Sequence, residues 1–139
     1  KLYASLFDNS SIAGILKYTA GENEPEGTVK HAQFTLNGQV FMAMDSEPHA
    51  FVFNEAISFF VSCETQEEID YFWNKLTADG GQESQCGWLK DKFGVSWQIV
   101  PLILMQLMED KDKAKAGRVM QAMMKMKKIE IEKLKEAAE

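Results

Sequence analysis

The sequence predicts an α+β fold in which a strand–helix–three-strand (βαβββ) module occurs twice and is followed by helices. Residues 56–100 have the pattern strand, helix, strand, strand, strand, and residues 1–45 have the pattern of a helix end and three strands. The first half therefore has the order of the second half without its opening strand. Repetition of element order over such a length is typical of a duplicated module. A parallel, doubly wound sheet is not expected.

Three strands are predicted in the first half. Residues 1–7 have apolar residues at helical spacing and indicate the end of a helix, and residues 12–19 indicate a strand. Asn37-Gly38 is a strong signal for a two-residue hairpin, and residues 39–45 form the returning strand. Residues 29–36 alternate, with Ala32, Phe34 and Leu36 on an apolar side and His31, Gln33 and Thr35 on a polar side.

The second half begins with a predicted strand over residues 56–63. Thr65 and Glu68 then form a capping box, which predicts a helix from about Gln66 to Ala78. Its apolar stripe, expected to be buried, consists of Ile69, Phe72, Trp73 and Leu76. Gly80-Gly81 is expected to end this helix. Further strands are predicted over residues 82–87, 88–90 and 95–100, with a turn at 91–94 and Pro101 at the end.

Helices are predicted after Pro101. Residues 102–108 are apolar and helical, and Asp110 or Asp112 can cap a second helix. The stripe of that helix consists of Ala116, Val119, Met120, Met123 and Met124, and a shorter stripe of Ile129, Ile131 and Leu134 follows. Such stripes are usually core, which favours an appendage packed on the sheet or on a partner subunit. The alternative is an adaptable binding surface, because methionine fills irregular gaps.

Composition excludes several classes of protein. The net charge of −6 disfavours binding to nucleic acid. Lys125, Lys127 and Lys128 are interpreted as a solvated helix end. No apolar run approaches the ~18 residues of a membrane span, and no signal peptide is visible, so a cytoplasmic protein is expected. Cys63 and Cys86 are predicted to be free thiols in strands, where cysteine behaves as a small buried hydrophobe.

Two runs carry a family resemblance, residues 57–76 and residues 86–101, and the hairpin 34–39 and the tail 118–129 support it. They are similar to the PhnB-like family, also called the 3-demethylubiquinone-9 3-methyltransferase family. That family is part of the vicinal-oxygen-chelate (glyoxalase/bleomycin-resistance) superfamily. The resemblance implies paired βαβββ modules around a cleft, usually in a homodimer, with a strand and most of a helix before Lys1. The opening strand of module one is then missing from this chain.

The resemblance also implies a domain organisation. Residues 1–101 are expected to form a glyoxalase-like domain, with module one at 1–54 and module two at 55–101. Residues 102–139 are expected to form a C-terminal helical extension.

Two enzyme classes are disfavoured. Metal-dependent members of the superfamily commonly have a glutamate where this chain has Gln98, and a histidine where it has Ser58 or Phe60, so neither a metal nor another cofactor is expected. A methyltransferase of the usual fold needs a glycine-rich loop between a strand and a helix. Gly80-Gly81 instead follows a helix, so the methyltransferase label of the family is considered unlikely for this chain.

The preferred hypothesis is binding of a small molecule in a cleft without a catalytic metal, in a homodimer. The candidate ligand-binding residues are His31, Gln33, Met42, Phe60, Cys86, Trp88 and Gln98. If Gln98 faces the cleft, strand alternation makes Trp97 a core residue. The alternative is a metal-free or metal-assisted lyase or isomerase of the glyoxalase type. His31 is its candidate base, because an imidazole can exchange protons near neutral pH.

Overall fold

The computed structural model describes residues 1–45 and 50–139, so His49, expected in a loop, lies outside the described residues. The chain divides into two compact units, Lys1–Phe51 and Val52–Glu139. Over residues 1–45 and 50–139, each unit contains one β-sheet, and the four α-helices belong to the second unit. Within the described residues, no helix combines the length and the apolar character needed to cross a membrane.

The first unit is a three-stranded antiparallel sheet. A short 3-10 turn, Tyr3–Ser5, is followed by β1 (Ser11–Lys17), β2 (Val29–Leu36) and β3 (Gln39–Met44), in the sheet order β1-β2-β3. The predicted hairpin is confirmed: Asn37 and Gly38 have φ angles of 47° and 78°, as a two-residue type I′ turn requires. Within the described residues no strand lies beside the outer edge of β3. This arrangement matches a module without its opening strand.

The second unit contains the complete strand–helix–three-strand order. Its elements are β4 (Ser58–Cys63), α1 (Gln66–Thr77), a 3-10 turn (Ala78–Gly80), β5 (Gln82–Glu83), β6 (Trp88–Lys90) and β7 (Ser96–Pro101). The sheet order is β4-β7-β6-β5, with β4 parallel to β7 and the other pairs antiparallel. The α+β fold class and the βαβββ order of the second half are confirmed.

The predicted strand over residues 82–87 is much shorter than expected. After β5 the chain turns, and Cys86 has a φ of 58°, which lies outside the extended region. The amides of Cys86 and Gly87 donate to the carbonyls of Met126 and Lys127, at 2.8 and 2.7 Å. The prediction that Cys86 lies in a strand is therefore wrong, because contacts distant in sequence satisfy its backbone.

Helix α1 begins as the capping box predicts. The amide of Glu68 donates to Thr65 Oγ1 at 3.2 Å, and the side chain of Glu68 accepts from the amide of Thr65. Ile69, Trp73 and Leu76 are buried. Phe72 is only half-buried and contacts Tyr71 edge-on, because it lies at the flank of the stripe. The expectation that Phe72 is buried with the other three is therefore wrong.

The C-terminal helices share a core with the second sheet. They are α2 (Leu102–Met108), α3 (Lys113–Met123) and α4 (Ile131–Ala138), and Asp112 caps α3 by accepting from two backbone amides. The buried members of this core are Val100, Leu104, Val119, Met126, Ile129 and Leu134. Met120 and Met124 remain exposed. The helices therefore cover part of their own sheet and leave apolar surface outside.

The side-chain amide of Gln66 holds the segment before α4 against the start of α1. Gln66 Nε2 donates to the carbonyl of Ile129 at 3.1 Å, and the amide of Ile131 donates to Gln66 Oε1 at 2.9 Å. Lys128 forms an ion pair with Asp70 of α1, with 2.6 Å between Nζ and Oδ1. These contacts fix the C-terminal segment on the sheet-forming part of the second unit.

Candidate ligand-binding face

One face of the second sheet is packed under α1. Trp73 Nε1 on α1 donates to Glu83 Oε1 on β5 at 2.9 Å, so the face that carries Glu83 lies under the helix. Successive side chains of a strand point to opposite sides of the sheet. On each strand, the residues next to those that face α1 therefore point away from the helix. We call that side the open face and define it by six residues, Ser58, Phe60, Trp88, Lys90, Ser96 and Gln98.

The centre of the open face is a row of three side chains on adjacent strands. Gln98 on β7 is the Cα partner of Phe60 on β4 and of Trp88 on β6. Phe60 is 53% exposed, whereas Trp88 and Gln98 are half-buried. Gln98 Nε2 donates to Ser58 Oγ at 2.9 Å, which fixes the amide between the two aromatic rings. The structure thus brings together three of the residues predicted for ligand binding.

A polar row lies beside the first, at the end of the sheet where β4 and β7 begin. Ser96 is the Cα partner of both Ser58 and Lys90. Lys90 forms an ion pair with Glu55, with 2.5 Å between Nζ and Oε1. Ser96 is buried, and its hydroxyl has no hydrogen-bond partner among the described residues. Sequence reasoning did not select Lys90 or Ser96. Lys90 is two residues after Trp88 and Ser96 is two residues before Gln98, so strand alternation places each on the same face as its neighbour.

Trp97 lies on the opposite side of β7 from Gln98. It is buried, and its Nε1 donates to Asp91 Oδ2 at 2.9 Å. Its ring contacts Phe59, the neighbour of Phe60 on β4, at a centroid distance of 5.1 Å. Trp97 is therefore part of the core that faces α1, as strand alternation predicts once Gln98 lies on the open face.

His31, Gln33 and Met42 lie together on one face of the first sheet. Gln33 and Met42 are Cα partners on β2 and β3, and His31 is two residues before Gln33. His31 and Gln33 are half-buried, whereas Met42 is exposed. This side is opposite to Leu36, which is buried at the end of β2. The first unit therefore presents an imidazole, an amide and a thioether on one face.

The two cysteines have different surroundings. Cys63 at the end of β4 is buried, and burial raises the pKa of its thiol to about 12, so the reactive thiolate is disfavoured at neutral pH. This agrees with a structural role. Cys86 is half-buried in the turn after β5 and does not belong to the row of Phe60, Gln98 and Trp88. The structure therefore does not bring this predicted site residue into the centre of the open face.

The side chains next to Gln98 do not offer the ligand atoms that a divalent metal ion requires. Its contact is the neutral hydroxyl of Ser58, and the flanking residues, Phe60 and Trp88, supply no ligand atoms. In the described part of the chain, no three His, Cys, Asp or Glu side chains are grouped closely enough to hold a metal. Divalent ions in enzymes are usually held by charged carboxylates, thiolates or imidazoles.

The sheet order and the open face define the class of this chain as an α+β protein built from βαβββ modules. A family model described as 3-demethylubiquinone-9 3-methyltransferase matches residues 1–100. The chain belongs to this family, which is the PhnB-like family. No curated protein matches the sequence.

The solved structures that are similar to this chain include the following two. One is described as a putative 3-demethylubiquinone-9 3-methyltransferase, PhnB protein, from Bacillus cereus. It is 47% identical, with a TM-score of 0.67 over 72% of this chain and 85% of that one. The other is a protein from Pseudomonas aeruginosa, 19% identical, with a TM-score of 0.56 over 72% of this chain and 84% of that one. The second likeness supports the fold alone.

Proposed function

We propose that this chain binds a small, largely apolar molecule on the open face, without a catalytic metal, as a member of the vicinal-oxygen-chelate superfamily. The observation that carries the proposal is the row of Phe60, Gln98 and Trp88 on the side away from α1. Ligand sites are mostly apolar and contain a few fixed polar groups. Here two aromatic rings flank an amide that Ser58 holds in place.

The methyltransferase label of the family receives no support from the local structure. A nucleotide-type cofactor site needs a glycine-rich turn from a strand into a helix. β4 leads into α1 through Glu64 and Thr65, without a glycine. The group that contacts the Gln98 amide is the neutral hydroxyl of Ser58, which supports binding without a metal.

A metal-free or metal-assisted lyase or isomerase of the glyoxalase type is the second candidate function. The observation that favours it is the position of His31 beside Gln33 on one face of the first sheet. An imidazole is the side chain that most often serves as a general base toward a bound substrate. Loss of an observed lyase or isomerase activity in His31→Gln, with folding retained, would favour this candidate.

Binding to the open face can be tested with N-phenyl-1-naphthylamine, a neutral apolar dye whose fluorescence rises in apolar surroundings. We expect the full chain to bind the dye, and Phe60→Ala and Trp88→Ala each to weaken binding roughly three- to tenfold, as loss of one aromatic contact does. The measurement is a fluorescence titration. Tyr71→Ala is the matched control, because Tyr71 is an exposed aromatic residue on α1, which covers the other face.

The control decides how a positive titration is interpreted. Equal affinity of wild type, Phe60→Ala and Trp88→Ala would place the dye elsewhere and contradict the proposed site. Weakening by Tyr71→Ala as large as that caused by Trp88→Ala would contradict it as well, because the effect would no longer be specific to the open face.

We also propose that the chain acts as a homodimer. The apolar surface that supports this consists of Leu102 and Met105 on α2, Met120 on α3 and Met124 at the C-cap of α3, all exposed. Contiguous exposed apolar patches usually mark an interface, and a two-fold pair is the commonest assembly. The alternative is a monomer in which the C-terminal helices cover their own sheet. The burial of Val119 in the core of the second unit supports this alternative for one residue of the α3 stripe.

Sedimentation equilibrium at micromolar concentration separates the dimer from the monomer. We expect a species of twice the 15.7 kDa chain mass. Met124→Glu should shift the equilibrium toward monomer if α3 lies in the interface, because a charge would be buried there without a partner. Glu132→Lys on the exposed side of α4 is the control for a change of surface charge. A single species at the chain mass would contradict the dimer.

A further inference from the structure

The polar row of the open face contains a buried hydroxyl, that of Ser96, which makes no hydrogen bond to any residue that the structure describes. Ser96 is 1% exposed, and its Oγ is a buried polar atom without a hydrogen-bond partner among the described residues. Leaving a buried polar group unpaired is unfavourable, and such a group calls for a specific explanation. Ser58 Oγ accepts from Gln98, which leaves the Ser58 hydroxyl hydrogen available to donate.

A carboxylate of the chain itself lies at the same end of the sheet. Lys90 on β6 forms an ion pair with Glu55, which precedes β4 by three residues. Because β7 lies between β4 and β6, the pair joins the two sides of β7 at the end where Ser96 lies. The contact with Lys90 lowers the pKa of Glu55, so this carboxyl is ionised at neutral pH.

This ion pair is of a kind that a ligand can replace. The Glu55 side chain is largely exposed, and exposed ion pairs contribute little to stability. Exchanging the Glu55 carboxylate for that of a ligand keeps the charge partner of Lys90. The cost of the exchange is therefore small.

We propose that the ligand of the open face carries a carboxylate, which displaces Glu55 from Lys90 and accepts hydrogen bonds from Ser58 and Ser96. The inference rests on the proposed function, since Phe60 and Trp88 are to hold the apolar part of the same molecule. A carboxylate can accept about four hydrogen bonds. The Lys90 ammonium and the hydroxyls of Ser58 and Ser96 can donate hydrogen bonds to it. The ligand class is thus a carboxylic acid with an aromatic or aliphatic body.

The test compares two probes of nearly equal shape, 2-naphthoate and 2-naphthamide, which differ in charge. We expect the full wild-type chain to bind naphthoate about fivefold more tightly than naphthamide, the ratio that one well-placed ion pair gives. Isothermal titration calorimetry at neutral pH measures both affinities.

Variants of the charged pair sharpen the comparison. Lys90→Met should remove the preference for naphthoate, whereas Lys92→Met should keep it. Lys92 is a matched control, because its side chain has the same 33% exposure as that of Lys90 and one ion-pair partner, Asp79. Glu55→Gln should strengthen naphthoate binding by roughly two- to fivefold, because it removes the competing charge.

Ser96→Ala separates a role in binding from a role in folding. We expect weaker naphthoate binding and a melting temperature that does not fall, because the lost hydroxyl has no hydrogen-bond partner in the part of the chain that the structure describes. A fall in melting temperature together with unchanged naphthoate affinity would overturn the assignment of Ser96.

The remaining outcomes distinguish this inference from the proposed function. If both probes bind equally, with both affinities reduced by Trp88→Ala, the carboxylate is overturned and the apolar site stands. If neither probe nor N-phenyl-1-naphthylamine binds, both proposals are overturned. A decrease of naphthoate affinity in Glu55→Gln would overturn the displacement of Glu55.

Discussion

Replacing Trp73 with alanine is expected to lower the free energy of unfolding by about 3–5 kcal/mol, the usual cost of truncating a large buried aromatic residue. Trp73 is 2% exposed and lies on the buried side of α1 with Ile69 and Leu76. Its Nε1 also donates to Glu83 on β5, so the substitution removes the bond that ties the helix to the sheet edge. Urea denaturation followed by circular dichroism measures the change.

The same helix provides the control for Trp73. Tyr71→Ala removes an aromatic residue from the exposed side of α1, where it contacts Phe72, and should cost much less. A loss of less than about 1 kcal/mol for Trp73→Ala would mean that the ring does not fill the core between α1 and the sheet.

Local sequence signals account well for β2, the hairpin and α1. The strand predicted over residues 29–36 is found with the same bounds, because its alternation and the Asn37-Gly38 turn both act over short distances. The Thr65 capping box likewise fixes the start of α1 within the sequence that forms it. These elements are specified by residues that are neighbours along the chain.

Long-range contacts account for the differences. The turn at Cys86 exists because carbonyls of Met126 and Lys127, some forty residues later, accept from its backbone, and no local pattern contains that information. Phe72 is a second, smaller difference from prediction. Helical spacing places it at the flank of the apolar stripe, and the width of the α1 surface that packs on the sheet decides whether it is buried.

The candidate site is predictable in part for the same reason. Strand alternation is a local property, and it is sufficient to place Gln98 and Trp97 on opposite sides of β7. The polar row depends instead on the parallel register of β4 and β7, in which Ser58 is opposite Ser96. Register between strands separated by a helix is set by tertiary packing. Alternation along β6 and β7 is enough to place Lys90 and Ser96 on the face of Trp88 and Gln98. The sequence pattern does not show that Ser58 and Glu55 lie beside them.

The turn that joins β6 to β7 provides the second prediction of large effect. Asp91 is 3% exposed, and its Oδ1 accepts from the amides of Phe93 and Val95, at 2.8 and 3.1 Å. Its Oδ2 accepts from Trp97 Nε1 at 2.9 Å. Asp91→Ala removes these bonds, including the one that the buried Trp97 indole donates. We expect a loss of about 3–5 kcal/mol, because each hydrogen bond to a charged group contributes about 1.5–3 kcal/mol and the contributions are not fully additive.

Two further substitutions show whether the Asp91 carboxylate itself holds the turn. Asp91→Asn keeps one acceptor oxygen for the backbone amides but turns an NH₂ donor toward the indole N–H. Its free energy of unfolding should therefore lie between those of wild type and Asp91→Ala. Asp79→Asn is the control: Asp79 is exposed and pairs with Lys92, and its change should stay within about 0.5 kcal/mol. Urea denaturation of the three variants gives the comparison. If Asp91→Ala costs no more than Asp79→Asn, the turn and the burial of Trp97 do not depend on this carboxylate.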